Sequence, residues 1–93
     1  MNNDKSENVQ IAAIDALENF AHEKIVQQAF LKNLESQKED FIQIKLIRIL
    51  AQTKNKNTLP FLDKILTNKK TSKYLRTEAT QSKKTIINLL KKK

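Results

Sequence analysis

The chain says nearly the same thing twice. Residues 9–17 read VQIAAIDAL and residues 42–50 read IQIKLIRIL, 33 positions later, with identities at Gln10/Gln43, Ile11/Ile44, Ile14/Ile47 and Leu17/Leu50. A further step of 33 reaches LRTEATQSK at residues 75–83, where Leu75 and Ala79 keep the apolar places of Ile42 and Leu46. Between these copies lie second segments that align at an offset of 32, placing Phe30 on Leu62 and Leu34 on Leu66. Apolar residues three and four apart mark helices. A period of this length therefore predicts a unit of helix, turn, helix, turn, which cannot bury its apolar stripe alone and must stack on a copy of itself. With 93 residues there is room for two such units and half of a third, in one domain. The second copy is greasier than the first because Ala12, Ala13 and Ala16 become Lys45, Leu46 and Ile49, as suits a middle position with two neighbours.

Composition closes off the alternatives. There is no glycine and one proline, Pro60, whereas strand-rich folds depend on glycine at tight hairpin turns with positive φ. Helices joined by polar turns need none, so the chain reads as all-α. No cysteine is present, which excludes disulfides and thiolate metal sites and fits a reducing or an oxidising compartment equally. No segment approaches the roughly 18 consecutive apolar residues needed to cross a bilayer. The start, MNNDKSENVQ, lacks the basic-then-apolar order of a secretory signal. The chain as given is expected to be soluble; a membrane anchor in a longer protein would lie upstream.

Five helices are expected within a repeat domain at 8–90, flanked by a disordered segment at 1–7 and a frayed basic tail at 91–93. The first runs from Asn8 to Phe20 with Ser6 as N-cap, and turns Val9, Ala13, Ala16, Leu17 and Phe20 inward. Ile11 and Ile14 widen that stripe, and Ala12, Ala13 and Ala16 would let a neighbour approach closely. The second, Glu23 to Glu35, turns Val26, Ala29, Phe30 and Leu34 inward. Ser36 and Glu39 have the spacing of a capping box, and either that box or Asp40 opens the third helix, Asp40 to Gln52. Phe41, Ile42, Ile44, Leu46, Ile47, Ile49 and Leu50 make this the central helix, buried on most sides. Asn57 or Thr58 caps the fourth, with Pro60 in its first turn and Leu59, Leu62, Ile65 and Leu66 inward, flanked by Phe61. Thr71 or Ser72 starts the last, with the stripe Leu75, Ala79, Ser82, Ile86, Leu89 and Leu90. Its polar middle predicts docking at the two ends and looseness between them.

These residues carry a resemblance. VQIAAIDAL with its following helix, and IQIKLIRILAQ followed by TLPFLDKIL, are similar to HEAT repeats. In those the first helix commonly reads V-R-x-A-A-x-x-A-L, and the second begins near a proline and runs L-x-x-L-L. Gln10 and Gln43 stand where arginine is usual. The resemblance covers residues 8–90 and implies a short right-handed α-solenoid of five helices, two HEAT-like pairs and a capping helix. More narrowly, the two-and-a-half-repeat layout is similar to the C-terminal tail of some bacterial membrane-anchored anti-sigma-factor-like proteins. There a zinc-binding head and a membrane helix precede a HEAT-like tail, which would imply an extracytoplasmic sensory or regulatory role; otherwise the cytoplasm is expected.

Catalysis is not expected. His22 is the sole histidine, beside Glu23 at a helix end, and nothing is spaced to converge on it as a base or a metal ligand. There is no glycine-rich phosphate loop and no H-E-x-x-H. Asp15 and Glu18 read as a surface couple. The expectation is a protein without cofactor or metal that binds another protein. Helical-repeat solenoids use the second helix of each pair as their docking face, which here gives Lys24, Gln27, Gln28, Leu31 and Lys32 with Asp63, Lys64 and Thr67. Leu31 lies off the inward stripe, either as an exposed anchor or as the edge of the core.

The alternative partner is anionic. The formal charge is +8. Residues 1–40 hold four basic and eight acidic side chains, giving −4, and residues 41–93 hold fourteen basic and two acidic, giving +12. An anionic-partner face for nucleic acid or a charged surface would use Lys45, Arg48, Lys69, Lys70, Lys73, Arg76, Lys83 and Lys84. No recognition helix or base-stacking aromatic platform accompanies that charge, which is lysine apart from Arg48 and Arg76.

Overall fold

A computed structural model describes residues 3–91, with side chains from Asn8 onward. Five α-helices follow one another: α1 (Asn3–Glu18), α2 (Lys24–Ser36), α3 (Asp40–Gln52), α4 (Leu59–Thr67) and α5 (Lys73–Lys91), with a 3₁₀ turn at Lys56–Thr58 before α4. No strand occurs among the described residues. α1 begins at Asn3, ahead of the Asn8 expected from the pattern, so Ser6 lies inside the helix and is not its cap. Residues 1 and 2 of the expected disordered segment, and 92 and 93 of the expected tail, lie outside the described residues.

α3 is the hub. Ile42, Leu46, Ile47 and Leu50 are wholly buried, and the helix packs against α1, α2 and α5, while α4 packs on α5. Fully burying each such side chain contributes about 2 kcal/mol. Phe30 and Leu34 of α2, Leu62 of α4 and Leu75, Ala79 and Ile86 of α5 complete one continuous core. Stacked this way, the helices form a slab whose Cα extents are 46 × 33 × 16 Å.

Two expectations about facing fail. The stripe read as inward on α1 points to water: Val9 is 67% exposed, Phe20 49%, and Ala13 and Ala16 are exposed as well. The opposite side, Ile14 with Ile11, meets α3. α1 carries two apolar faces and packs closely on one helix, so only one face is covered. On α3, Phe41 is 79% exposed, the exception to burial on most sides. α5 reverses expectation in its middle, where Ala79 and Ser82 are buried. Its small residues there let the bulky chains of α3 approach, and the Ser82 hydroxyl is satisfied by Glu78 Oε2 at 3.1 Å. At its end Leu89 is half-buried and Leu90 exposed.

The turns are built from side-chain amides and hydroxyls. The capping box between α2 and α3 does not form: Ser36 ends α2 and its hydroxyl turns back to Asn33 O at 3.3 Å, while Glu39, at the N-cap of α3, makes no side-chain cap bond. Gln37 does that work, its Oε1 accepting from the amides of Lys38 and Glu39, both at 3.1 Å. α3 closes in a Schellman motif, with Asn55 N–H on Leu50 O at 3.4 Å and Lys54 N–H on Ala51 O at 3.1 Å. Lys54 sits there at φ 61°, a left-handed position that glycine usually takes. Asn55 Oδ1 caps the 3₁₀ turn through Asn57 N at 2.9 Å, and Pro60 falls in the first turn of α4. Wholly buried Thr58, at the N-cap of α4, makes no side-chain cap bond. Ser72 caps α5, its Oγ accepting from Leu75 N at 3.2 Å.

Candidate docking groove between the second helices

One register position carries the side-chain contacts between successive repeats. Arg76 donates from Nη1 to Leu66 O at 3.0 Å, a carbonyl in the last turn of α4, and from Nη2 to Asn68 O at 3.1 Å, which also accepts from Thr71 N at 3.1 Å. Its equivalent one repeat earlier, Gln43, donates from Nε2 to Gln37 O at 2.6 Å, just past the end of α2. Gln10, a further 33 residues back, accepts from Gln37 Nε2 at 2.8 Å. The duplicated glutamines are thus in contact with one linker residue. Arg76 stands in the arginine place that Gln10 and Gln43 vacate, a role the period of 33 makes legible only once the third copy is trusted.

Between the ends of α2 and α4 lies a groove of about 430 Å³. Its floor is apolar: Leu34 and Leu75 are buried, Phe61 and Ile65 half-buried. Its rim carries both signs of charge, Glu35 and Asp40 against Lys38, Lys64 and Lys70. The α4–α5 turn that forms one wall is fixed by Thr71 Oγ1 donating to Ile65 O at 2.7 Å and by Asn68 Oδ1 accepting from Lys70 N at 2.9 Å. Phe61, which the pattern placed only as a flank of the inward stripe, is the aromatic of this groove.

The residues expected on the second-helix face divide between places. Lys64 lines the groove. Lys24, Gln27, Gln28 and Leu31 line a separate cleft of about 480 Å³ with the 53–57 turn and Leu90. Gln27 is occupied there, donating to Ala21 O at 2.7 Å and accepting from Asn55 Nδ2 at 2.6 Å. Leu31 is half-buried against the core, the edge position rather than an exposed anchor. Lys32 is exposed outside both clefts. Asp63 pairs with Lys83 at 2.7 Å, and Thr67 bonds back to Asp63 O at 2.9 Å.

Half of the basic set is engaged within the molecule. Lys45 pairs with Asp15, Arg48 with Glu78 at 3.0 Å, Lys83 with Asp63, and Arg76 with the end of α4. Lys69, Lys70 and Lys73 gather at the α4–α5 turn and Lys84 stands exposed along α5, without ion pairs among the described residues. Asp15, tied to Lys45, and Glu18 both stand exposed on α1. His22 is exposed, and among the described residues no group of acidic, His or Cys side chains is placed to hold a metal. Phe41 and Tyr74, which the apolar pattern did not single out as exposed, are aromatics in water (79% and 83%) one period apart at the starts of α3 and α5. Their spacing of 33 was the available signal.

No helix among the described residues is long and apolar enough to cross a membrane. Compared with known proteins, residues 1–84 match the family described as HEAT repeats. No curated protein and no solved structure matches the chain. HEAT repeats are a non-catalytic scaffold type that generally mediates protein–protein interaction. Five helices stacked as two pairs and a closing helix, joined at a 33-residue register and matched over most of their length, agree on one conclusion. The chain belongs to the HEAT repeat family.

Proposed function

We propose that the chain is a non-catalytic protein-interaction module whose docking site is the groove between α2 and α4. The observation that carries this reading is the groove's make-up, an apolar floor under a rim of both charges. A polyanion would meet Glu35 and Asp40 there, whereas a protein segment that places an apolar side chain on Phe61 and Ile65 can satisfy both signs at once. The internal pairing of Lys45, Arg48, Arg76 and Lys83 weakens the anionic alternative further, since cations already bonded release fewer counterions on binding phosphate. Were the protein one of the anti-sigma-like assemblies, its partner would be regulatory; a zinc-binding head and a membrane helix encoded upstream would be required.

Two measurements test the reading. Fluorescence anisotropy of labelled single- and double-stranded DNA should show no binding that survives physiological salt; salt-resistant binding lost on reversing Lys69, Lys70 and Lys73 would replace the proposal with the anionic one. In the source cell, a photo-crosslinker at Lys64 should trap one protein, one at Thr80 on the outer side of α5 should not, and Phe61→Ala should lower the yield at least about tenfold, as for a contact worth over 1 kcal/mol. Equal capture at both positions would sink it.

A further inference from the structure

The cleft beside the docking groove carries one sign of charge. Lys24 at the start of α2 and Lys54 and Lys56 of the α3–α4 turn line it, and no acidic side chain does. All three lysines are exposed, and none is in an ion pair among the described residues. The turn that presents two of them is tied to α2, Asn55 Nδ2 donating to Gln27 Oε1 at 2.6 Å. Lys54 holds the left-handed position at φ 61° that glycine would fill more easily, so a cation stands there at some cost in stability.

Cleft and groove abut along α2. Lys24, Gln27, Gln28 and Leu31 line the first, Leu34 and Glu35 the second. At about 100° per residue these positions share an arc of about 120° on the helix. From Lys24 to Glu35 the helix rises about 16 Å, which about five residues of extended chain span. One short segment can therefore lie across both. We infer that the partner segment seated in the groove is acidic on one side of its apolar anchor. The anchor rests on Phe61 and Ile65, and carboxylates within about five residues of it meet Lys24, Lys54 and Lys56. The inference rests on the groove being the docking site. Complementary charge then selects the partner and sets the direction in which its segment lies. An unbroken polyanion fits worse, because its path continues past Glu35 and Asp40, and no aromatic side chain lines the cleft for a base to stack on.

The test is a random synthetic peptide library on uncharged beads, probed with the labelled full chain at physiological salt. Expected on the retained beads is an apolar residue with aspartate and glutamate enriched to one side of it. Reversing the three exposed lysines together, Lys24→Glu, Lys54→Glu and Lys56→Glu, should keep the far-ultraviolet spectrum and weaken the resynthesised peptides at least about tenfold. Phe61→Ala should weaken the same peptides through their anchor. Apolar peptides without acidic enrichment, or acidic ones indifferent to the triple reversal, would overturn the inference and leave the groove as the docking site. Acidic peptides that need the lysines but not Phe61 would overturn the docking reading on which it rests. Displacement of the peptides by oligothymidylate at the same salt would give the cleft to nucleic acid instead, and a library with no retained bead would overturn both readings.

Discussion

Lys54 pays for an absent glycine. Its φ of 61° lets α3 finish in a Schellman motif, but a side chain with a Cβ in that conformation costs about 1 kcal/mol. Lys54→Gly should therefore stabilise the fold by about 0.5–1 kcal/mol after the greater flexibility of glycine in the unfolded chain is counted, raising Tm by about 4 °C. Thermal denaturation followed by circular dichroism checks this, and a fall in Tm would mean that the lysine side chain makes a compensating contact. The absence of glycine told correctly of a fold without hairpins. It gave no hint that one left-handed position remained to be filled, since turn geometry is set by the path between helices.

At the scale of the element, the position shared by Gln10, Gln43 and Arg76 ties α3 and α5 back to the helix before each, while Gln10 on α1 meets the same linker residue, Gln37, from the other side. Arg76→Ala removes two charge-assisted bonds and leaves Leu66 O without its side-chain donor, Asn68 O keeping the Thr71 amide, which should cost about 1–2 kcal/mol. Gln43→Ala removes one neutral bond to Gln37 O and should cost less, about 1 kcal/mol. Urea titration of the two variants gives the ranking, and an equal or reversed order would refute the charge argument. Helix identities and the course of α3 were legible because their apolar period is strong. The burial of Ala79 and Ser82 was not, because a small residue reads as weak packing in a sequence and as close approach in a structure.

Across the whole molecule, stability should fall away from α3 and α5. These two helices form the most extensive contact, whereas α1 is held on one side and by the ion pair of Lys45 with a half-exposed Asp15, which is worth little in water. Hydrogen exchange should then be slowest in α3 and the first turns of α5 and fastest in α1. Uniform protection would mean a single cooperative unit extending to α1. Repetition made the architecture readable from the sequence. The groove was not, because its floor and rim come from all four helices α2 to α5 and from the α2–α3 and α4–α5 turns, and no local pattern joins Leu34 to Phe61 and Leu75.

The backward-reaching latch also has a direction in time. A chain leaves the ribosome N-terminus first, and the donor that completes each second helix lies six residues beyond Gln37 in one case and eight to ten beyond Asn68 and Leu66 in the other. Each helix pair is thus sealed by the stretch synthesised immediately after it. Translation order and stacking order coincide, and a nascent pair waits for no distant part of the chain before its end is closed.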